Sequence, residues 1–333
     1  MKDNINWLII GGSGYIGSHI SRYFLEKKES IYILDNLSTG LIKRNASDKN
    51  FYSFDCRQTE KLNDLLNKKN IRGVIHLASL KQARESLRDP LKYWDSNMNA
   101  TISILKSFEN SPVKFLLFSG SCSIYGSSNE VIEDIRPNPL SPYAWTKLCS
   151  EQIIKDCSRY LDLSWMSLRY FNVIGNGDFP FAHDSSEECL VPSIFSKLSL
   201  GELPQIFGTK FTTKDGTALR DYIDVRDLAE IHFLAANFLI SNKEKLSLEL
   251  NVGTGEPITV LEILSKICSS LNIKEDFEDL GSNPADPPAI WANTNKFKKL
   301  FNWKPKYTLE DSINSYIKNT SYKNDEKDYK KSL

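Results

Sequence analysis

Short apolar runs alternate with amphipathic stretches through the first half of the chain. Residues 7–10 form an apolar run that ends in glycines. Over residues 15–27 the period changes: Ile16, Ile20, Tyr23 and Phe24 fall on one side, the spacing of a helix. Further apolar runs stand at 31–34, 51–54, 74–77, 115–118 and 165–169, separated by helical patterns at 58–68, 94–108 and 143–160. Buried runs of four or five residues with helices between them predict a parallel sheet covered on both faces. Right-handed crossovers make that sheet doubly wound, so the fold class is α/β.

After about residue 172 the pattern loosens. A glycine- and acid-rich loop spans 175–188, and helical and short apolar segments follow, broken by glycine and proline. The expected organisation is a first domain over 1–172 with a return segment at 222–252, where 225–240 reads as helix and 246–252 as strand. A smaller mixed α/β domain over 173–221 and 253–322 is expected to hold substrate. Residues 323–333 are nearly all polar and are expected to form a disordered tail.

Composition narrows the function classes. The chain has 333 residues, 41% hydrophobic and 25% charged, the profile of a soluble globular protein. Lys plus Arg and Asp plus Glu balance at 42 each, so nothing points to nucleic acid or an anionic membrane as a partner. No apolar run approaches the ~20 residues of a membrane span. The polar start lacks the pattern of a signal peptide, and a cytoplasmic protein is expected. Cys56, Cys122, Cys149, Cys157, Cys189 and Cys268 are scattered without a C-x-x-C pair, and four histidines show no ligand spacing. They read as buried thiols and ordinary histidines, with no metal site expected.

The glycine turn is the first carrier of chemistry. Gly11-Gly12-Ser13-Gly14-Tyr15-Ile16-Gly17 follows a predicted strand and opens a helix. Gly11 permits the tight turn, Gly14 lets the backbone approach a pyrophosphate, and Gly17 allows close helix–strand packing. Amides at the helix start, with the helix dipole, then hold the anion. Asp35 ends the second strand 18 residues beyond Gly17, where a carboxylate accepts from an adenosine ribose and repels a 2′-phosphate. That favours NAD over NADP; the plainer alternative is a turn aspartate. Asp55, ending the third strand, is either an adenine contact or another turn residue.

A second set lies further on. Ser141-Pro142 suits a helix N-cap and first turn, which puts Tyr143 and Lys147 four apart on one face. A tyrosine near pKa 10 is a poor base at neutral pH, and a neighbouring ammonium stabilises its phenolate. The pair can then take or return the proton of a sugar hydroxyl. Alone it reads more readily as a surface pair. Ser121 lies in the segment after the fifth strand, at the carboxyl edge where open α/β sheets place ligands, and is suited to share that hydroxyl.

These motifs, with Leu34-Asp35-Asn36, 74–78, 168–172 and 206–223, resemble the UDP-galactose 4-epimerase family of extended short-chain dehydrogenases, in order from about residue 5 to 320. The resemblance implies a Rossmann sheet and tightly held NAD. It also implies an isomerase that oxidises a UDP-hexose at C4, turns the 4-keto sugar and reduces it on the other face. It assigns Tyr143 as acid/base, Lys147 as its tuner and Ser121 as the residue orienting the 4-hydroxyl. NAD contacts implied are Gly11, Gly14, Tyr15, Ile16, Gly17, Asp35, Asn36, Asp55, Cys56, Leu77, Ala78, Lys81, Asn99, Ser119, Tyr143, Lys147 and Tyr170. The nucleotide-sugar side implied is Ser121, Asn172, Leu190, Phe207, Arg220, Tyr222, Asp286 and Ile290.

Related dehydratases carry an Asp-Glu pair after the catalytic serine or threonine; here Cys122 and Ser123 stand there, and neither does that acid/base work. Two departures concern the diphosphate: Asn283 replaces a family arginine, and Cys189 replaces an asparagine. An asparagine supplies no charged fork. Ile290 falls at a size gate, intermediate between the aromatic and small residues there, so N-acetylated sugars are expected to be partly accepted; the alternative is a plain core residue. The family pairs through two long helices, here 95–108 and 143–160, so a homodimer is implied. Other readings are an NAD-dependent decarboxylase, dehydrogenase or 4-keto reductase of nucleotide-sugars, or a non-catalytic dinucleotide sensor.

Overall fold

The six apolar runs and the strand read at 246–252 become seven parallel strands in the computed structural model, which describes residues 5–45, 48–179, 181–186, 188–282 and 286–319. Their order across the sheet is Ser247–Val252, Ser164–Tyr170, Phe115–Ser121, Ile71–His76, Asn6–Ile10, Ser30–Asp35 and Phe51–Ser53. The chain winds outward from Asn6–Ile10 through two strands on one side, then returns to build the other side from Ile71–His76. The strand order therefore reverses between these two neighbours, where α/β sheets bind ligands. Burial explains the unbroken apolar runs: Trp7, Leu8, Ile9 and Ile10 are each at most 1% exposed, so both faces are covered.

Helices Tyr15–Glu26, Thr59–Lys68 and Pro142–Tyr160 supply that cover. Leu62, Leu65 and Leu66 of the second pack with Leu8, Ile10, Ile104 and Leu116 in one cluster. The helix expected over 94–108 begins earlier. It runs from Pro90–Tyr93 through a wide turn at Trp94–Met98 into Asn99–Ser107. Asn97 explains the wide turn. Its carboxamide accepts from the Leu80 amide at 2.8 Å and donates to the Leu80 carbonyl at 3.1 Å and to Thr146 Oγ1 at 3.0 Å. Local polar bonds of this kind compete with regular helix pitch.

The chain divides into two compact units. The first comprises Met1–Gly126, Glu133–Tyr170 and Leu228–Val252. The second comprises Ser127–Ile132, Phe171–Asp227 and Gly253–Leu333. The boundaries differ from the sequence reading at 127–132, 171–172 and 222–227, which go to the second unit. Sheet pairing is the reason. Asn172–Ile174 pairs with Leu219–Asp224, and Glu130–Val131 pairs with Ala289–Ala292, in a separate sheet completed by Pro257–Thr259. Ile174, Ile194, Ile263, Ile267 and Ile313 fill that unit's core. Thr259 and Glu262 form a reciprocal cap at the start of helix Val260–Leu271. Among the described residues no helix is long and apolar enough to cross a membrane. The sequence-read tail at 323–333 lies outside the described residues.

Candidate active site

The glycine turn closes on neighbouring backbone. Gly11 has φ +86°, and a Cβ there would lie 2.9 Å from the Ala78 amide nitrogen. A Cβ on Gly17 would lie 2.2 Å from the Gly11 carbonyl oxygen. Gly17→Ala is therefore expected to destabilise the protein by about 3 kcal/mol and to empty it of dinucleotide, checked by urea unfolding and cofactor content after purification. Helix Tyr15–Glu26 starts with no side-chain cap and no acid in its first turn, which leaves its positive end to an anion. Ser13 Oγ is fully buried and has no partner, an unmet hydroxyl at the turn. The turn and its unmet hydroxyl fit a pyrophosphate.

Asp35 is 8% exposed and ties the turn to the strand end, accepting from the Ser13 amide at 2.9 Å and the Leu37 amide at 2.8 Å. Burial raises its pKa, against those two amides and the Arg44 charge. Each carboxylate oxygen keeps a second lone pair for a ribose hydroxyl. Asp55 is engaged differently. Arg57 grips it at 2.9 and 2.8 Å and, with Asn36 donating at 3.1 Å, holds it down at about 2. Arg57 also stands 3.7 Å from Asp95, which accepts from the exposed Asn99 at 2.7 Å. So Asn36, Asp55 and Asn99 belong to one polar chain organised by Arg57, a residue the sequence reading passed over. Its signal was the two-residue spacing from Asp55. Cys56 is buried, and burial pushes its thiol up to about 12. Leu77 and Ala78 line the turn's far wall, and exposed Lys81 sits 6.0 Å from the Tyr15 ring.

Helix Pro142–Tyr160 carries the second group. Ser141 caps it, accepting from the Ala144 amide at 3.2 Å, with Pro142 in the first turn. Lys147 is 5% exposed and donates to the Ser119 carbonyl at 2.8 Å and the Ser119 hydroxyl at 3.1 Å. Burial pushes its pKa down to about 7, opposed by Glu151 one turn on. Its Nζ lies 6.0 Å from the Tyr143 ring centre. Buried Tyr93 packs edge-on against Tyr143, with centroids 6.5 Å apart. Thr146 donates to the Tyr143 carbonyl at 2.7 Å, and Asn97 holds Thr146. Ser121 ends the adjacent strand, paired in register with Tyr170.

Tyr170 ends strand Ser164–Tyr170 with its hydroxyl turned to a buried histidine. Its hydroxyl lies 2.6 Å from His232 Nε2, while His232 Nδ1 lies 2.8 Å from the Leu228 carbonyl. A carbonyl only accepts, so Nδ1 carries the proton and Nε2 accepts from Tyr170. Burial, with the nearby Tyr143, keeps Tyr170 well above the usual tyrosine range.

The two buried histidines set an acid limit on stability. Burial depresses His232 to about 4 and, with Lys147 nearby, His76 to about 3. The unfolded chain takes up protons near pH 6.5 that the folded chain refuses. The stabilisation is thus full above pH 6.5 and is lost as pH falls toward those folded values. Between pH 6.5 and 5 each histidine costs about 2 kcal/mol. Urea unfolding at pH 7 and 5 checks this. His76→Gln should lose about 2 kcal/mol less than wild type over that interval, and an equal loss would refute the assignment.

In the second unit, register brings several substrate-side residues onto one sheet face. Arg220 and Tyr222 alternate along Leu219–Asp224, Ile290 lies opposite Arg220, and Asn172 lies opposite Tyr222. Asp286 acts on Tyr222 electrostatically, so it belongs to this group; burial raises the Tyr222 pKa. Ile290 is 3% exposed, a packed residue. Leu190 begins helix Leu190–Ser199, and Cys189 before it supplies no side-chain cap. Phe207 follows the short strand Gln205–Ile206. Asn283 lies outside the described residues. Among the described residues no group of three or more His, Cys, Asp or Glu side chains is placed to hold a metal ion.

The model of the NAD dependent epimerase/dehydratase family matches residues 7–253. A UDP-glucose 4-epimerase of Lactobacillus helveticus is 34% identical over 312 residues, covering 92% of this chain and 94% of that protein. The structure of a UDP-glucose-4-epimerase from Stenotrophomonas maltophila, with bound NAD and formylated UDP-arabinopyranose, superposes with a TM-score of 0.87 at 30% identity. That match covers 96% of this chain and 99% of that one. The UDP-Glc/GlcNAc 4-epimerase of Campylobacter jejuni superposes at 0.80 with 29% identity, covering 93% and 97%. The chain belongs to the NAD dependent epimerase/dehydratase family and stands among its UDP-glucose 4-epimerases.

Proposed function

We propose that this chain is an NAD-dependent epimerase that inverts C4 of a UDP-hexose. The observation that carries the reading is the buried Lys147 beside Tyr143, on a helix whose start lies next to the strand end bearing Ser119 and Ser121. NAD, when bound, would supply the hydride chemistry at sugar C4, removing a hydride from one face and restoring it on the other. Its pyrophosphate belongs at Gly11, Gly14, Tyr15, Ile16 and Gly17, and its adenosine ribose at Asp35. Asn36, Asp55, Cys56 and Asn99 bound the adenine end, and Leu77, Ala78, Lys81 and Ser119 complete the run.

Tyr143 takes the 4-hydroxyl proton as the phenolate, because the Lys147 charge close to its ring favours that form. Ser121 holds the same oxygen. Tyr143 holds that proton while the sugar turns and then returns it to the same oxygen. Asn172, Leu190, Phe207, Arg220, Tyr222 and Asp286 hold the uridine diphosphate and sugar. Tyr170 is read as an NAD contact that does not use its hydroxyl, which is committed to His232.

Epimerisation leaves the cofactor as it began. The absorbance of reduced nicotinamide near 340 nm should therefore not accumulate as a UDP-hexose converts. Stoichiometric accumulation would favour a dehydrogenase, and neither conversion nor reduction a sensor. Acceptance of N-acetylated sugars follows from Ile290, which lacks the bulk of an aromatic ring. Ile290→Tyr is expected to lower kcat/KM for UDP-GlcNAc about tenfold relative to UDP-glucose. An unchanged ratio would make Ile290 a core residue only. The enzyme is read as a cytoplasmic homodimer pairing through 95–108 and 143–160, which sedimentation tests.

A further inference from the structure

Ser123 stands two residues beyond Ser121, in the tight turn Cys122–Tyr125. The turn is anchored: Ile124 and Tyr125 are at most 1% exposed, and the Ile124 carbonyl accepts from the Asn138 amide at 2.8 Å. Ser123 makes two bonds to one atom. Its backbone amide donates to Ser121 Oγ at 3.2 Å, and its hydroxyl donates to the same oxygen at 2.9 Å. A serine hydroxyl has one proton and two lone pairs. Both lone pairs of Ser121 are therefore occupied from one side, and its proton is what remains to offer.

We infer that Ser123 is a positioning residue that commits Ser121 to donating a hydrogen bond to the reacting sugar oxygen. This rests on the epimerase reading. A proton relay from the sugar hydroxyl through Ser121 to Tyr143 needs a lone pair on Ser121 to receive the proton, and both are taken. The 4-hydroxyl O–H bond then breaks directly to the Tyr143 oxygen, its electron pair stays on the sugar oxygen, and Ser121 donates into the charge that develops there. Ser121 keeps its own proton throughout. The donation is aligned before substrate arrives, the condition under which such bonds lower a barrier.

Two measurements test this. In steady state, Ser123→Ala should lower kcat about tenfold, with KM for UDP-glucose within twofold and cofactor content unchanged, and Ser123→Thr should restore kcat to within about threefold. An equal kcat in Ser123→Ala, or no rescue by Ser123→Thr, would overturn the inference. The second readout needs no turnover. In a Cys122→Ala background, Ser121→Cys places a thiol where the two donors converge. The pH dependence of its alkylation by iodoacetamide reports its pKa, and adding Ser123→Ala should raise that value by about one unit. No shift would show that Ser123 does not govern that position, whatever the sugar chemistry. A shift in a protein whose wild type converts no UDP-sugar would instead uphold the contact and refute the epimerase reading.

Discussion

Replacing Tyr143 by phenylalanine is expected to lower kcat about a thousandfold while leaving KM for the UDP-sugar within a few-fold. The ring is kept, so its edge-on packing against Tyr93 survives and the helix start is undisturbed. Only the group that moves the proton is lost. Tyr170 cannot replace it although it lies nearby, because its proton is donated to His232 Nε2 and burial holds its pKa high. Nor can Lys147, whose Nζ is turned to the Ser119 carbonyl and hydroxyl and lies 6.0 Å from the Tyr143 ring centre. Single-turnover reduction of the bound cofactor by UDP-glucose separates chemistry from release. A loss below about tenfold would mean that another group carries the proton.

The second large effect concerns stability. Tyr143, Lys147 and Glu151 repeat at four-residue spacing, and Glu151 is 4% exposed. It accepts from Ser167 at 2.6 Å and from Arg169 at 2.8 and 3.1 Å. Arg169, 6% exposed, also donates to the Tyr125 hydroxyl at 2.8 Å and the Glu133 carbonyl at 3.1 Å. Burial opposes the Arg169 charge, but its bonds to Glu151 more than offset that. The network fills the space beside Gly120, where a Cβ would meet Ser167 Oγ at 2.4 Å and Glu151 Oε1 at 2.9 Å. It thus supports the strand end that carries Ser119 and Ser121. Arg169→Met leaves a buried carboxylate uncompensated and should cost about 3–5 kcal/mol in urea unfolding. Adding Glu151→Gln should recover part of it. A cost under about 1 kcal/mol would mean that water reaches Glu151.

Much of this was legible in the chain because the physics is local. A sheet buried on both faces writes itself as short unbroken apolar runs. The glycine turn needs three glycines at set places because Gly11 and Gly17 meet backbone atoms. Ser141-Pro142 announces the helix that aligns Tyr143 with Lys147. What stayed hidden depends on long-range pairing. The apolar pattern puts Asn172 and Tyr222 in the first domain, and only the register of Asn172–Ile174 against Leu219–Asp224 moves them to the second sheet. The Asn97 turn hid inside a helical pattern, because its partners Leu80 and Thr146 are 17 and 49 residues away. His232 carried no local sign that it would accept a hydrogen bond from Tyr170.

The most direct test of the account is incubation of the pure protein, without added cofactor, with UDP-glucose, UDP-galactose, UDP-GlcNAc and UDP-GalNAc in turn, followed by proton NMR of the anomeric signals. The expected result is conversion of UDP-glucose and UDP-galactose to a common equilibrium mixture, with slower conversion of the N-acetylated pair. Retention of every substrate unchanged by protein that holds NAD would contradict the assigned reaction.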